Sequence, residues 1–375
     1  MKKIKILYIV PSLRLCNGIA SYAMNYFRNI NNNNIHIDFA TGADEESIYF
    51  EEIRKQKSKI FYIPKMELKN IGLVCKQIKK YFQENKYDIV HCHVLNMGAF
   101  YLYYAKKYNV PVRILHSHAT KYADKPLNSI RNFLLAKLAI GCANTYFACS
   151  KLAGDFLFKN KKYKVINNAI DVDKFSYNEK TRIQIRELEN IEQDEIVIAN
   201  IGRFVAQKNI FFLIGAFKKL LLEKENYKLM LIGSGPLEEE IVKKINEYNL
   251  KKKVIIKKSI TNVNEYMQAI DILAMPSLYE GLPVVGIEAQ AADLQCLFSE
   301  TITKEVKIID KVKFLPINNI EDWVAQFKNM NELKRKNEKR LMADNCYDIK
   351  TESQKLGDIY EKLYKDMTKN RFRRG

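Results

Sequence analysis

Ser277-Leu278-Tyr279-Glu280-Gly281-Leu282-Pro283-Val284-Val285-Gly286-Ile287-Glu288-Ala289 follows an apolar run, Ile270 to Met275, and leads into a helical pattern. An apolar run that ends in Gly and Pro and then continues as a helix is the strand-to-helix corner of an α/β protein. Two carboxylates, Glu280 and Glu288, stand eight positions apart across that corner. Eight helical rises span ~12 Å, and a turn shortens or bends the path, so the pair can bracket a sugar nucleotide rather than share one atom. One carboxylate can hold sugar hydroxyls and the other a ribose. The helix starting near Pro283 would aim free N–H groups and its positive end at the phosphates between them.

Outward from this corner the alternation continues. Ile196–Ile201, Lys228–Ile232 and Val254–Ile256 read as further strands, and Ile210, Leu213, Ile214, Phe217, Leu220 and Leu221 repeat at helical spacing. A polar stretch from Asp171 to Asp194 precedes them and places a domain boundary near residue 175. The first half carries its own strands at Ile4–Val10, Ile35–Ala40, Ile60–Ile63, Ile89–His93, Val112–His116 and Tyr146–Ala148. Strands alternating with helices predict mainly parallel sheets, hence an α/β chain of two Rossmann-like domains. Near the end, Leu356, Ile359, Tyr360, Leu363, Tyr364 and Met367 form an apolar stripe that must pack on something. The run Asn31–Asn34 reads as a turn.

A length of 375 residues with 47% apolar content supplies core enough for two domains. The net charge of +19 favours phosphate-bearing ligands, polyanions or acidic membranes without choosing among them. Cys16, Cys75, Cys92, Cys142, Cys149, Cys296 and Cys346 are odd in number and contain no CxxC pair, which suits a reducing compartment and predicts a cytoplasmic protein. The apolar part of residues 1–10 is too short for a signal peptide and reads as a buried strand. The stretch Phe133 to Ala148, broken by Lys137 and Asn144, falls short of the ~20 residues a membrane span needs.

In open parallel sheets, ligands bind beyond the carboxyl ends of the strands. Asn17-Gly18 lies there, where a residue without Cβ lets backbone N–H groups approach a phosphate. So do His91-Cys92-His93 and His116-Ser117-His118, four of the five histidines. They can be structural, they can hold a metal if a third ligand converges, or His118 can contact a sugar; nothing in the sequence fixes that third ligand. Gly202-Arg203-Phe204 with Gln207-Lys208-Asn209 offers a planar cation and a point charge suited to a diphosphate, or two solvated cations. Gly233-Ser234-Gly235-Pro236 reads as a tight turn, with Pro236 at the first position of the next helix.

These residues resemble glycosyltransferase family 4, retaining enzymes of the GT-B fold, over nearly the whole chain. Glu280 to Glu288 matches its EX7E motif and Arg203 with Lys208 its diphosphate pair. Val165 to Asp171 resembles its interdomain segment, and Ile114-Leu115-His116-Ser117-His118 the form found in capsule and exopolysaccharide enzymes. The resemblance implies two Rossmann-like domains facing across a cleft, residues 1–174 on the acceptor side and 175–354 binding the sugar nucleotide. The C-terminal helix, 355–375, would cross back to the first domain.

By the same resemblance, Arg203 and Lys208 neutralise the leaving diphosphate, aided by the Gly18 backbone. Glu288 holds the ribose, Glu280 and His118 hold the donor sugar, and the backbone of Gly281, Leu282 and Pro283 contacts sugar and phosphate. A nucleotide-sugar donor and a glycan or lipid-linked acceptor are the expected partners, with no nucleic acid and no metal. The charge of +19 and the segment Lys125 to Ile140, where Arg131 and Lys137 flank Phe133, Leu134, Leu135 and Leu138, suggest either peripheral contact with an anionic membrane or an ordinary helix buried against the sheet. Two departures stand out: Asn17-Gly18 replaces the family's usual Gly-Gly, and Asp293-Leu294-Gln295 its usual Gly-Leu-Pro. Asp171-Val172-Asp173 spells DxD, but its position suits a helix cap better than a metal site. The rival function is a non-catalytic GT-B partner subunit of another glycosyltransferase, against which the intact Arg203, Lys208, Glu280 and Glu288 argue.

Overall fold

The computed structural model describes residues 3–14, 17–30, 34–42, 47–64, 70–123, 126–258, 260–329 and 335–372. Two compact units emerge, Met1–Ala169 with Ile349–Gly375, and Ile170–Asp348. These limits fall a few residues before the expected boundaries at 174 and 355. Cys16, Asn31 to Asn33 and Lys125 lie outside the described residues, and the other six cysteines are free thiols.

In the first unit, β1 (Ile4–Val10), β2 (Ile35–Thr41), β3 (Ile60–Tyr62), β4 (Ile89–Cys92), β5 (Val112–Ser117), β6 (Thr145–Ala148) and β7 (Lys164–Val165) form one parallel sheet. Their order, β3-β2-β1-β4-β5-β6-β7, reverses between β1 and β4. All of β1 is buried except Lys5, as expected of a central strand with helices over both faces. Ile4, Ile6, Tyr8 and Val10 enter one apolar cluster and Leu7 and Ile9 the other, following the two-residue period of a strand.

The helix Ile349–Phe372 belongs to this unit. It buries Leu356 and Tyr360 in the first cluster, while Ile359, Leu363, Tyr364 and Met367 pack against it, so the apolar stripe finds its partner on the first unit. Each fully buried side chain of this size contributes about 1.5–3 kcal/mol. Polar tips add direction: the Tyr360 hydroxyl lies 2.7 Å from that of Tyr8 and 2.6 Å from His91 Nδ1.

The second unit holds β8 (Ile196–Ile201), β9 (Tyr227–Ile232), β10 (Val254–Lys257), β11 (Ile272–Met275), β12 (Gln295–Ser299) and β13 (Val312–Leu315). They form a parallel sheet in the order β10-β9-β8-β11-β12-β13, reversing between β8 and β11. Short β7, β12 and β13 escape the sequence reading; β12 offers only three apolar residues in a row, and Lys313 interrupts β13.

At the corner before β12, Asp293 adopts φ +54°. Its buried carboxylate accepts hydrogen bonds from Lys311 Nζ at 2.6 Å and from the Lys336 N–H. Asp tolerates the left-handed region better than most residues, and this pairing lets it stand where the family usually has Gly. Asp171 caps the short helix Val172–Phe175, accepting from the Lys174 N–H at 3.2 Å, and Asp173 pairs with Lys339 at 2.5 Å. The DxD triplet is thus a helix start. Pro236 does not open a helix: it lies in the turn before Glu238–Glu247.

Candidate active site

A parallel sheet opens a crevice where neighbouring strands send their connections to opposite faces, and in the second unit that point lies between β8 and β11. The segments leaving these two strands carry Gly202 to Lys208 and Ser277 to Pro283. They are stapled together. The turn Ala206–Lys208 receives the Leu278 N–H on the Gln207 carbonyl at 2.8 Å, and Gln207 Nε2 donates to the Tyr279 carbonyl at 2.8 Å. Lys208 Nζ reaches Glu280 Oε1 at 2.6 Å.

Glycines make this possible. Gly202 has φ +152°, and a Cβ there would meet Lys208 Cε at 3.0 Å, so the lysine stem lies across the bare Cα. Gly233, at φ +153°, and Gly235 leave room for the backbone of Gly202 and Phe204. Added Cβ atoms would lie 1.9 Å from the Gly202 carbonyl oxygen and 2.5 Å from that of Phe204. The Gly233-Ser234-Gly235 turn therefore supports the Arg203 loop, a role that no local sequence signal gives because it depends on the β8–β9 pairing. The Arg203 side chain is exposed, and its guanidinium has no partner among the described residues.

Helix Val284–Ala291 begins directly after Pro283 and has no side-chain cap. The Gly286 N–H turns back to the Pro283 carbonyl at 3.0 Å, and those of Val284 and Val285 are left for another acceptor. Gly286 packs on Phe298 and Val306, fixing the helix against β12. Within this helix, Glu288 keeps some solvent access, yet the surrounding protein desolvates its carboxyl and raises it to about 7, with Lys174 offsetting part of the effect. Residues Arg203, Lys208, Glu280, Gly281, Leu282, Pro283 and Glu288 thus all follow β8 or β11.

Gly18 and His118 belong to the first unit. Gly18 opens the helix Gly18–Asn29, with nothing within 4 Å of where its Cβ would be. Asn17 caps that helix, its Oδ1 accepting from the N–H groups of Ile19 at 3.0 Å and Ala20 at 3.2 Å. Two of the donors expected for a phosphate are therefore already satisfied, a consequence of Asn where the family usually has Gly. His118 follows β5; its Nε2 lies 3.0 Å from His93 Nδ1, and desolvation lowers it to about 3. Neighbouring His91, His93 and His116 are buried and also held neutral.

Two parallel-sheet Rossmann-like units, with a C-terminal helix that returns to the first, are the GT-B architecture of glycosyltransferases. The chain belongs to that class at the level of family as well. Residues 16–174 match the family model for Glycosyltransferase Family 4, and residues 181–345 that for Glycosyl transferases group 1. It is 27% identical to EpsF of Bacillus subtilis over 95% of this chain and 96% of that one. It is also similar to the UDP-Gal:alpha-D-GlcNAc-diphosphoundecaprenol alpha-1,3-galactosyltransferase of Escherichia coli, at 22% identity over 96% and 97% of the two chains. Among solved structures, Anabaena HepE in complex with UDP-glucose superposes with a TM-score of 0.74 at 13% identity, over 98% and 99% of the chains. This chain is a glycosyltransferase, both of its units being matched by glycosyltransferase family models.

Proposed function

We propose that this glycosyltransferase retains configuration. It moves a hexose or N-acetylhexosamine from a UDP-sugar to a glycan or lipid-linked acceptor in bacterial surface-polysaccharide synthesis. The observation that carries the reading is the stapling of the Lys208 turn to the Glu280 corner at the β8/β11 switch point. Arg203 and Lys208, with the uncapped start of helix Val284–Ala291, supply positive potential to a leaving diphosphate. One preorganised donor aimed at developing charge is worth ~3 kcal/mol. Metal at the diphosphate is then superfluous.

Glu280 takes donor-sugar hydroxyls, Glu288 the ribose, and the backbone from Gly281 to Pro283 the sugar and phosphate. His118, neutral at working pH, serves as a hydrogen-bonding partner of the sugar and not as an acid. Gly18 adds its own backbone N–H. Retention follows from same-face attack by the acceptor hydroxyl, whose proton passes to a departing phosphate oxygen as the glycosidic bond breaks and the new one forms.

The acceptor side includes an anionic bilayer. Helix Pro126–Cys142 buries Asn132, Ala136, Ala139 and Cys142 and turns Leu127, Ile130, Leu134 and Leu138 outward, 41–82% exposed. Arg131 and Lys137 flank these leucines, and neither this helix nor Gly98–Lys107, which packs on it, contains an acidic residue. Apolar side chains bordered by cations suit reversible docking on the inner face of the cell membrane. Among the described residues no helix is long and apolar enough to cross it.

Acceptor-free hydrolysis of a UDP-sugar panel tests the transfer reading. Slow release of UDP from one or two donors is expected; failure to bind or cleave any nucleotide sugar, with or without lipid-linked acceptors, would sink it.

A further inference from the structure

β4 and β5 carry a compact histidine grid on the sheet face covered by the helices Gly18–Asn29 and Ile349–Phe372. His91 and His93 lie along one strand and its extension, His116 and His118 along the next. Ring centroids within each pair are 4.1 Å apart. One ligand nitrogen from each of His91, His93 and His116 lies within 4.8 Å of the others, and the three residues are 0%, 3% and 2% exposed.

Two features separate this grid from a self-satisfied polar core. His91 is tethered through Nδ1 to the Tyr360 hydroxyl at 2.6 Å, and His93 through Nδ1 to His118 Nε2 at 3.0 Å. For His93 this anchors one ring nitrogen and leaves the other without a partner, which is how proteins orient a metal-bound imidazole, whereas the remaining Nε2 of His91 faces His116 Nδ1 and would exchange that contact for a metal. Second, His93 Nε2 and His116 Nε2 are buried without a hydrogen-bond partner, as is the hydroxyl of Tyr22, whose ring lies on both histidines at 5.4 and 5.1 Å. A buried polar atom without a partner costs about 1–3 kcal/mol, so two in adjoining imidazoles call for an occupant. The contact of His91 Nε2 with His116 Nδ1 at 3.0 Å satisfies part of the grid but neither of these atoms.

We propose that His91, His93 and His116 form a buried site for one divalent transition-metal ion, which links β4 to β5 and, through Tyr360, secures the C-terminal helix on the first unit. Three imidazoles without a carboxylate favour Zn²⁺ and its borderline neighbours over Mg²⁺ or Ca²⁺. A tetrahedral ion keeps one position for a small ligand. All three residues belong to the first unit, and binding of the ion does not depend on the transfer reaction proposed above.

Metal binding by the untagged full-length protein tests this directly. Chelator-stripped protein is loaded with Zn²⁺, desalted in a weak competing chelator and analysed for bound metal by mass spectrometry. Co²⁺ replaces Zn²⁺ for a spectroscopic reading. One ion per chain, visible d–d bands with Co²⁺ and a Zn²⁺-dependent rise in the thermal midpoint are expected. His93→Gln and His116→Gln should lose all three. Tyr360→Phe keeps the ligands but removes the tether, and should weaken Zn²⁺ binding ~10–100-fold. Folded wild-type protein that retains no Zn²⁺ would overturn the proposal, as would equal retention by the two histidine variants. If those variants fail to fold, unchanged affinity in Tyr360→Phe would overturn it.

Discussion

Lys208 Nζ lies 2.6 Å from Glu280 Oε1, with only 14% and 12% of the two side chains exposed. A cation and a carboxylate so close cancel much of each other's field, so under the proposed function Glu280 would compete with the diphosphate for the charge of Lys208. Glu280→Gln should therefore tighten UDP binding about three- to tenfold in calorimetry while lowering turnover of the UDP-sugar about 100-fold. Parallel losses in both quantities would deny that the two residues compete.

Glycine substitutions around Lys208 should follow their local geometry. Gly233→Ala brings a Cβ to 1.9 Å from a backbone oxygen and should unfold the Arg203 loop or the whole unit. Gly202→Ala, strained at φ +152° and crowding a flexible lysine stem, should cost about 1–3 kcal/mol in denaturant unfolding and a larger share of activity. Gly215→Ala, inside helix Ile210–Leu221 with Ile320 Cδ1 at an ordinary 3.5 Å, should be neutral or stabilise by up to about 1 kcal/mol. A different rank order would show that the loop is not held as described.

Glu288 should trade stability for donor binding. Its carboxyl is raised from 4.5 to about 7, so between those values the native state holds a proton that the unfolded chain has lost. Stability attributable to this group is present below pH 4.5, falls as pH rises towards 7, and is absent above. Glu288→Gln should therefore stabilise the protein at pH 8, by up to about 3 kcal/mol, leave it unchanged at pH 4, and raise the donor KM. Equal effects on stability at both pH values would exclude this titration.

Membrane docking should depend on salt and on the exposed leucines. Screening shortens the reach of surface charge to ~8 Å at physiological ionic strength, so sedimentation with anionic liposomes should fall sharply as salt rises. Arg131→Glu/Lys137→Glu and Leu134→Asp/Leu138→Asp should each abolish it. Absence of binding at low salt would leave the acceptor soluble.

Much of the fold was legible because buried parallel strands need mostly apolar runs rich in β-branched residues; β1 and β8 match their sequence-derived limits residue for residue. Strands β7, β12 and β13 were not, since two to five residues beside polar neighbours carry no pattern of their own. The C-terminal stripe announced a partner without naming it; the resemblance supplied the crossing back to the first unit. At the site, residue types and strand-end positions were visible, but the Lys208–Glu280 pairing and the support from Gly233 and Gly235 depend on neighbouring strands far apart in sequence. Asn17 could be read as a lesser glycine, whereas its cap on Ile19 and Ala20 appears only with the backbone in place.

Steady-state kinetics of Arg203→Ala and Lys208→Ala with the UDP-sugar that the wild-type protein turns over test the central claim most directly. Charge-assisted contacts to the leaving group strengthen in the transition state, so each variant should keep its fold and lose ~10²–10³ in kcat/KM. Near-wild-type activity in both would contradict the assignment of the β8/β11 switch point as the seat of leaving-group stabilisation.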